Sequence, residues 1–183
     1  KINYASLFGG YFNEPAIKLA DKLAKITPSN LKTSFFISGG SEAVESAIKF
    51  VRQYWAIKGF PEKKKIISRR ESYHGVTYGA LSATGLRTYR QPFEPLLPFF
   101  LHISPPYCYR CDFNKTKETC NVECAKQIKD LIFYEGAKTI AAIIMEPVMS
   151  AAGALVPPKK YFETVQEIAR ENKILIIADE VIN

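Results

Sequence analysis

Two uninterrupted apolar runs near the end of the sequence constrain its fold more than any other feature. They occupy residues 140–145 and 174–178, and the apolar residues between 161 and 172 recur at helical spacing. Strands that are apolar on both faces are typical of buried parallel strands, which need a helical crossover to connect them. The pattern therefore predicts an α/β fold with three layers, α/β/α, in which helices cover both faces of a mostly parallel sheet.

Each apolar run ends abruptly in an acidic residue. Glu146 follows the first run and Asp179 follows the second. Parallel strands end at the same edge of a sheet, and ligands of open α/β sheets bind beyond that edge. We therefore expect both carboxylates to face one crevice, whereas Glu180 should point away because neighbouring residues of a strand alternate faces. A solvated strand end or a helix cap is the alternative interpretation of these acids.

The rest of the chain carries patterns for further elements of the same fold. Periodicity predicts helices over residues 16–26, from Ser41 to near Gly59, over 80–83 and over 123–134, and strands over 33–37, 66–68 and 99–103. The least regular part, about 91–124, is interpreted as a cysteine-containing excursion or insert. The chain has no initiator Met and stops directly after an acidic pair. We therefore expect residues 1–183 to be one partial domain of a longer protein.

Composition limits the classes of function. The 47% hydrophobic and 23% charged content is ordinary for a soluble globular protein. No apolar run approaches the roughly 20 residues of a membrane span, so no membrane partner is expected. The formal net charge of +7 would permit an anionic partner. However, Lys and Arg are spread along the chain, and we expect no nucleic-acid partner.

A glycine-rich turn, Ser38-Gly39-Gly40-Ser41-Glu42, joins a predicted strand to a predicted helix. Glycine lets the backbone approach a ligand closely, and a helix start offers N–H groups and the positive end of the helix dipole. The turn is therefore a candidate phosphate site, to which the Ser41 hydroxyl can add a donor. The turn lacks the Lys of a P-loop and the glycine spacing of a dinucleotide fingerprint, which disfavours these two classes of phosphate site. A tight turn with Ser41 as helix N-cap is the alternative.

A second candidate loop is Tyr73-His74-Gly75. An aromatic ring beside a glycine can lie flat on a planar ligand. His74 could act as a general base, although the sequence names no partner for it. A packed aromatic ring and a hydrogen-bonded structural histidine are the alternatives.

Four motifs, in this order, resemble those of the class III aminotransferases, which are pyridoxal 5'-phosphate enzymes of fold type I. They are Ser38-Gly39-Gly40-Ser41-Glu42-Ala43, Tyr73-His74-Gly75, Glu146-Pro147 and Asp179-Glu180-Val181. The resemblance extends from about Pro15 to the end of the chain. It implies a partial large domain of such an enzyme, lacking the N-terminal part and the C-terminal part of the protein.

The resemblance also implies roles for individual residues. The backbone of Gly40 and Ser41, with the Ser41 hydroxyl, would hold the cofactor phosphate, and Tyr73 and Val181 would pack on the two faces of the pyridine ring. Asp179 would pair with the pyridine nitrogen and keep it protonated. A protonated ring withdraws electrons from the substrate, which is how this cofactor works as an electron sink.

The resemblance also implies roles for Glu146 and His74, and it implies a lysine that this chain lacks. Glu146 would be a second catalytic residue beside the ring, near the substrate, and His74 is placed among the cofactor-binding residues. The lysine that forms the Schiff base follows the Asp-Glu-Val segment in this family and is absent from the chain. We therefore expect the fragment alone to be inactive.

The implied reaction is the transfer of an amino group from a primary, often terminal, amine or amino acid to a 2-oxo acid such as pyruvate or 2-oxoglutarate. An aminomutase, a decarboxylase or a lyase could use the same cofactor residues. The family further implies a cytoplasmic homodimer.

The four cysteines form a separate constellation, Cys108-x2-Cys111-x8-Cys120-x3-Cys124. Paired spacings of this kind can hold a structural zinc. The middle spacing is short and metal binding is not general in the family, so reduced cysteines without metal are the favoured interpretation. A zinc-stabilised nucleic-acid-binding module is the alternative of a different functional class.

Overall fold

A four-stranded parallel sheet organises most of the chain. The computed structural model describes residues 13–28, 30–116 and 118–182 and divides into two units, residues 1–38 and 39–183. The second unit contains the sheet, whose strands are β1 (Lys65–Arg69), β2 (Phe100–Ile103), β3 (Ile140–Met145) and β4 (Leu175–Ala178). Their order is β2-β1-β3-β4, and every pair is parallel.

Helices cover both faces of this sheet. The α-helices of the described residues are α1 (Glu14–Ile26), α2 (Gly40–Ile57), α3 (Tyr78–Ala83), α4 (Arg87–Arg90), α5 (Glu123–Glu135) and α6 (Lys160–Glu171). Apolar residues of α2 and α3 form one buried cluster with the sheet, and those of α5 and α6 form another. The predicted three-layer α/β/α architecture is therefore confirmed.

Strand β3 lies between these two layers and is buried along its whole length. Ile140 and Ile143 belong to the α5–α6 cluster, whereas Ala142 and Ile144 belong to the α2–α3 cluster. The indole N–H of Trp55 donates to the main-chain oxygen of Ala141 at 2.8 Å. An uninterrupted apolar sequence suits this position, since both faces of the strand are covered.

The first unit contains α1 and the segment that follows it. Asn13 caps the helix, because its side-chain oxygen accepts from the N–H of Ala16 at 2.9 Å. The strand predicted over residues 33–37 is wrong, since these residues have no regular secondary structure. A short apolar run such as Phe35-Phe36-Ile37 forms a strand only where a neighbouring strand pairs with it, and the described sheet contains no strand from this segment.

Residues 91–124 contribute to the sheet as well as to the excursion. Strand β2 pairs with β1 over four positions, from Ile66 opposite Phe100 to Arg69 opposite Ile103. The described residues between β2 and α5 are irregular apart from a short 3-10 turn at Cys108–Arg110. The predicted strand near 99–103 is confirmed.

Within the described residues, no helix is both long enough and apolar enough to cross a membrane.

His102 of β2 ties this strand to the end of α3. Its Nε2 lies 3.2 Å from the main-chain oxygens of both Ala83 and Thr84, so that it can donate to them. Burial, and secondarily the nearby charge of Arg90, lowers the pKa of His102 from 6.5 to about 4. The folded state therefore holds a neutral imidazole at neutral pH.

This lowered pKa predicts a specific acid sensitivity. Between pH 6.5 and 4 the unfolded chain binds a proton at His102 that the folded chain rejects, so the free energy of unfolding should fall as pH falls through this window. The expected contribution is up to about 3 kcal/mol. In urea unfolding across this range, His102→Gln, which keeps an N–H donor but does not titrate, should show a flatter pH dependence. Equal slopes for the two proteins would contradict the prediction.

Candidate active site

The carboxyl ends of β3 and β4 open into a cavity of about 210 Å³. The N–H of Asp179 donates to the main-chain oxygen of Met145 at 2.9 Å, which continues the pairing of the two strands to their ends. Glu146 and Asp179 both line the cavity and both are buried, whereas Glu180 is exposed. The predicted placement of the three acids is thus confirmed.

Asp179 is held by a buried histidine. Nδ1 of His74 and Oδ2 of Asp179 are 2.7 Å apart, and the side chains of both are almost completely inaccessible to solvent. A carboxylate only accepts hydrogen bonds, so Nδ1 of His74 carries the proton. The Nε2 of His74 is buried and has no hydrogen-bond partner among the described residues. The geometry makes His74 the group that orients Asp179.

The start of α2 forms another wall of the cavity, lined by Gly40 and Ser41. The helix begins at Gly40, and no side chain caps it at Gly39. The hydroxyl oxygen of Ser41 accepts from the N–H of Val76 at 3.0 Å. Because this bond occupies a lone pair and leaves the hydroxyl hydrogen uncommitted, Ser41 can donate to a ligand. The wall therefore presents donors at the positive end of a helix dipole.

Two glycines allow this wall to close on its neighbours. Gly75 has φ +130°, and a β-carbon there would lie 2.4 Å from the Ser41 hydroxyl oxygen. A β-carbon on Gly40 would lie 3.2 Å from both methyl groups of Val181. Glycine at these positions therefore lets the Tyr73–Gly75 loop and Val181 approach the helix start.

Glu146 is fixed by hydrogen bonds on both carboxylate oxygens. Oε1 accepts from the main-chain N–H of Tyr73 at 3.2 Å, and Oε2 lies 3.3 Å from Nη2 of Arg69. The same nitrogen donates to the main-chain oxygen of Glu146 at 2.6 Å. The ring of Tyr73 contacts Tyr89 edge-on, with ring centroids 5.4 Å apart. Glu146 therefore connects the end of β1 to the Tyr73 loop.

The structure brings all the predicted site residues except the cysteines to this one cavity: Gly40, Ser41, Tyr73, His74, Glu146, Asp179 and Val181. Sequence reasoning missed other residues of its lining: Val148, Ser150 and Ile182. It also assigned no role to Arg69. The sequence signal that could have identified Arg69 is its position at the end of a buried strand, on the sheet edge that also carries Glu146 and Asp179.

The four cysteines lie apart from this cavity and are reduced. Cys108, Cys111 and Cys120 line a second cavity, together with three lysines. Burial raises the pKa of the Cys124 thiol to about 12. Among residues 13–28, 30–116 and 118–182, no group of three or more Cys, His, Asp or Glu is arranged to hold a metal ion.

Comparison with known proteins identifies the family. The family model described as aminotransferase class-III matches residues 3–183. The chain belongs to the class III aminotransferases.

Named relatives agree with this family. The mitochondrial gamma-aminobutyrate transaminase 1 of Oryza sativa is 41% identical over 184 residues, which are 100% of this chain and 36% of the relative. A thermostable (S)-enantioselective omega-transaminase from Thermomicrobium roseum superposes with a TM-score of 0.91 at 42% identity, over 97% of this chain and 40% of that structure.

A second solved structure is that of an amine transaminase from an uncultivated Pseudomonas species in the PLP-bound form. It superposes with a TM-score of 0.93 at 34% identity, over 100% of this chain and 41% of its own. This class III aminotransferase chain therefore spans about 40% of the length of the proteins that it matches.

The contact between Gly75 and Ser41 generates a prediction about this aminotransferase chain. Gly75→Ala should destabilise the fold by about 3 kcal/mol or more, because an unfavourable φ is combined with a steric clash. Gly59 provides the matched control, since it also has a positive φ (+83°) but open space around it. Gly59→Ala should cost about 1–2 kcal/mol. Urea unfolding measures both, and equal losses would contradict the steric role of Gly75.

Proposed function

We propose that this cavity is the pyridoxal 5'-phosphate site of an aminotransferase. The observation that carries the proposal is the pairing of two unlike walls around one cavity. One wall is a helix start with a hydroxyl donor at Ser41, and the other is the buried carboxylate of Asp179. A ligand suited to both has an anionic group at one end and a protonated nitrogen at the other. Pyridoxal phosphate has both features.

The phosphate end fits the start of α2. The cavity lining contains no Lys or Arg among the described residues, so the anion would be held by backbone N–H groups, the helix dipole and the Ser41 hydroxyl. Helix starts hold phosphates in this way without a cationic side chain. Gly40 and Ser41 are therefore the proposed phosphate residues.

The ring end fits Asp179 and its surroundings. A carboxylate oriented by His74 would keep the pyridine nitrogen protonated, and burial would strengthen that interaction. Tyr73 and Val181 line the same cavity and would pack against the ring. When bound, the cofactor supplies an electron sink for the bond changes at the amine carbon. Asp179 is the residue of this chain that maintains that capacity.

The proposed reaction transfers the amino group of a primary, often terminal, amine or amino acid to a 2-oxo acid such as pyruvate or 2-oxoglutarate. The named transaminase relatives support this choice over an aminomutase, decarboxylase or lyase. No lysine lines the described cavity. We propose that the lysine required for this chemistry comes from the part of the protein that the relatives have in addition.

The cytoplasmic location and the homodimer, like the donor and acceptor, are proposals that rest on membership of the family. Light scattering of the full-length protein would test the dimer. No nucleic acid is proposed as a partner.

The reaction is tested with the full-length protein, an amine donor and pyruvate, by measuring the alanine formed. Carbon dioxide or an isomeric amine in place of alanine would indicate the decarboxylase or aminomutase alternative. Absence of every such product, with the cofactor bound, would refute the transaminase proposal.

Asp179→Asn should lower the rate of alanine formation by about 10²–10³-fold, since a neutral amide cannot maintain the protonated pyridine nitrogen. Glu180→Gln is the matched control, because Glu180 is the adjacent acid but is exposed. It should leave the rate nearly unchanged. A wild-type rate in Asp179→Asn, or equal losses in the two variants, would contradict the proposed role of Asp179.

A further inference from the structure

Arg69 is a fully buried charge whose position links three elements around the cavity. It is the last residue of β1, and its side chain is 0% exposed. Its guanidinium bonds both the main chain and the carboxylate of Glu146, just beyond the end of β3. Its Cζ lies 6.0 Å from the ring centroid of Tyr161, in the first turn of α6. The residue does not line the cavity itself.

Glu146 connects Arg69 to the lining of the cavity. Its other carboxylate oxygen accepts from the N–H of Tyr73, whose ring is the proposed stacking partner of the cofactor. The carboxylate therefore has one oxygen on a buried cation and the other on the backbone of the stacking loop. Glu146 therefore joins Arg69 to the main chain of Tyr73, and a charge-assisted hydrogen bond of this kind fixes the geometry of its acceptor.

We propose that Arg69 is a positioning residue of the cofactor site, which acts through Glu146 to fix Tyr73 against the cofactor ring. The proposal rests on the proposed function, because it assumes that pyridoxal phosphate occupies the cavity. It also gives Glu146 a different role from the catalytic one implied by family resemblance, because Glu146 then holds the Tyr73 loop in place. Both bonds to Glu146 come from Nη2 of Arg69, and Nε and Nη1 have no hydrogen-bond partner among the described residues. An apolar side chain of similar length cannot replace either bond.

Removal of Arg69 should have an effect larger than the loss of one contact. In Arg69→Met the carboxylate of Glu146 stays buried without its cation, which is the costly way to break an ion pair. The carboxylate or its loop must then move toward water, and the N–H of Tyr73 loses its fixed acceptor. In Arg69→Met with Glu146→Gln, no charge is left unpaired, and the amide oxygen can still accept from Tyr73.

The test uses full-length protein freed of cofactor and titrated with pyridoxal phosphate. Arg69→Met should raise the dissociation constant at least about tenfold, as loss of supporting residues does at other sites. It should also reduce the visible circular dichroism per bound cofactor, because that signal depends on a fixed ring environment. The double variant should recover most of both losses, and its non-additivity measures the coupling of the two residues.

Arg70→Met is the matched control, since Arg70 is the adjacent arginine and is exposed. It should bind the cofactor with the wild-type dissociation constant and circular dichroism. If Arg69→Met does not fold, Arg69→Lys and the double variant carry the test. Lys keeps the positive charge but carries it on a compact ammonium in place of the planar guanidinium. The dissociation constant of Arg69→Lys should therefore lie between the wild-type value and the value about tenfold higher that is expected for Arg69→Met.

A purely structural role would give a different result. The cofactor-free Arg69 variants would unfold at lower temperature, yet bind pyridoxal phosphate with unchanged dissociation constant and circular dichroism, and that outcome would overturn the proposal. Failure of the proposed function is distinguishable, because the wild-type protein itself would then bind no pyridoxal phosphate.

Discussion

The parallel pairing of β3 with β1 and β4 is the constraint on which the rest of this structure depends. It aligns the ends of three strands at one edge, and each end delivers a polar side chain there: Arg69, Glu146 and Asp179. The three side chains differ in position. Asp179 and Glu146 line the cavity, whereas Arg69 does not line it and bonds Glu146. A single sheet edge therefore supplies both the proposed ligand contact and its supporting residues.

Each of the two buried carboxylates at this edge has a defined hydrogen-bond partner. Asp179 is bonded by His74, and Glu146 is bonded by Arg69 and by the backbone of Tyr73. Ionised groups in a protein interior are costly unless they are paired and hydrogen-bonded. The pairs connect the strand ends to the Tyr73–Gly75 loop from two directions. That loop in turn donates to Ser41 through Val76, so that the sheet edge and the helix start are held by one network.

The excursion after β2 contributes little to this network. Its four cysteines do not line the candidate active site. Three of them line a second cavity, together with three lysines. A buried thiol whose pKa is raised to about 12 stays protonated at neutral pH, and protonated thiols bind metals and react as nucleophiles poorly. The candidate site at the strand ends is therefore built without residues of this segment.

The sequence by itself determined the layered fold and most of the residues that line the cavity. Uninterrupted apolar runs predicted β3 and β4 as buried parallel strands, and Glu146 and Asp179, which follow these runs, were predicted to share one edge. Gly40 and Tyr73 were identified by their motifs. The strand predicted over residues 33–37 was wrong, because a short apolar run does not say whether a partner strand is present. Tertiary structure alone decided which groups pair. The bond of His74 to Asp179 joins residues 105 positions apart, and that of Arg69 to Glu146 spans 77, so no local pattern encodes either contact.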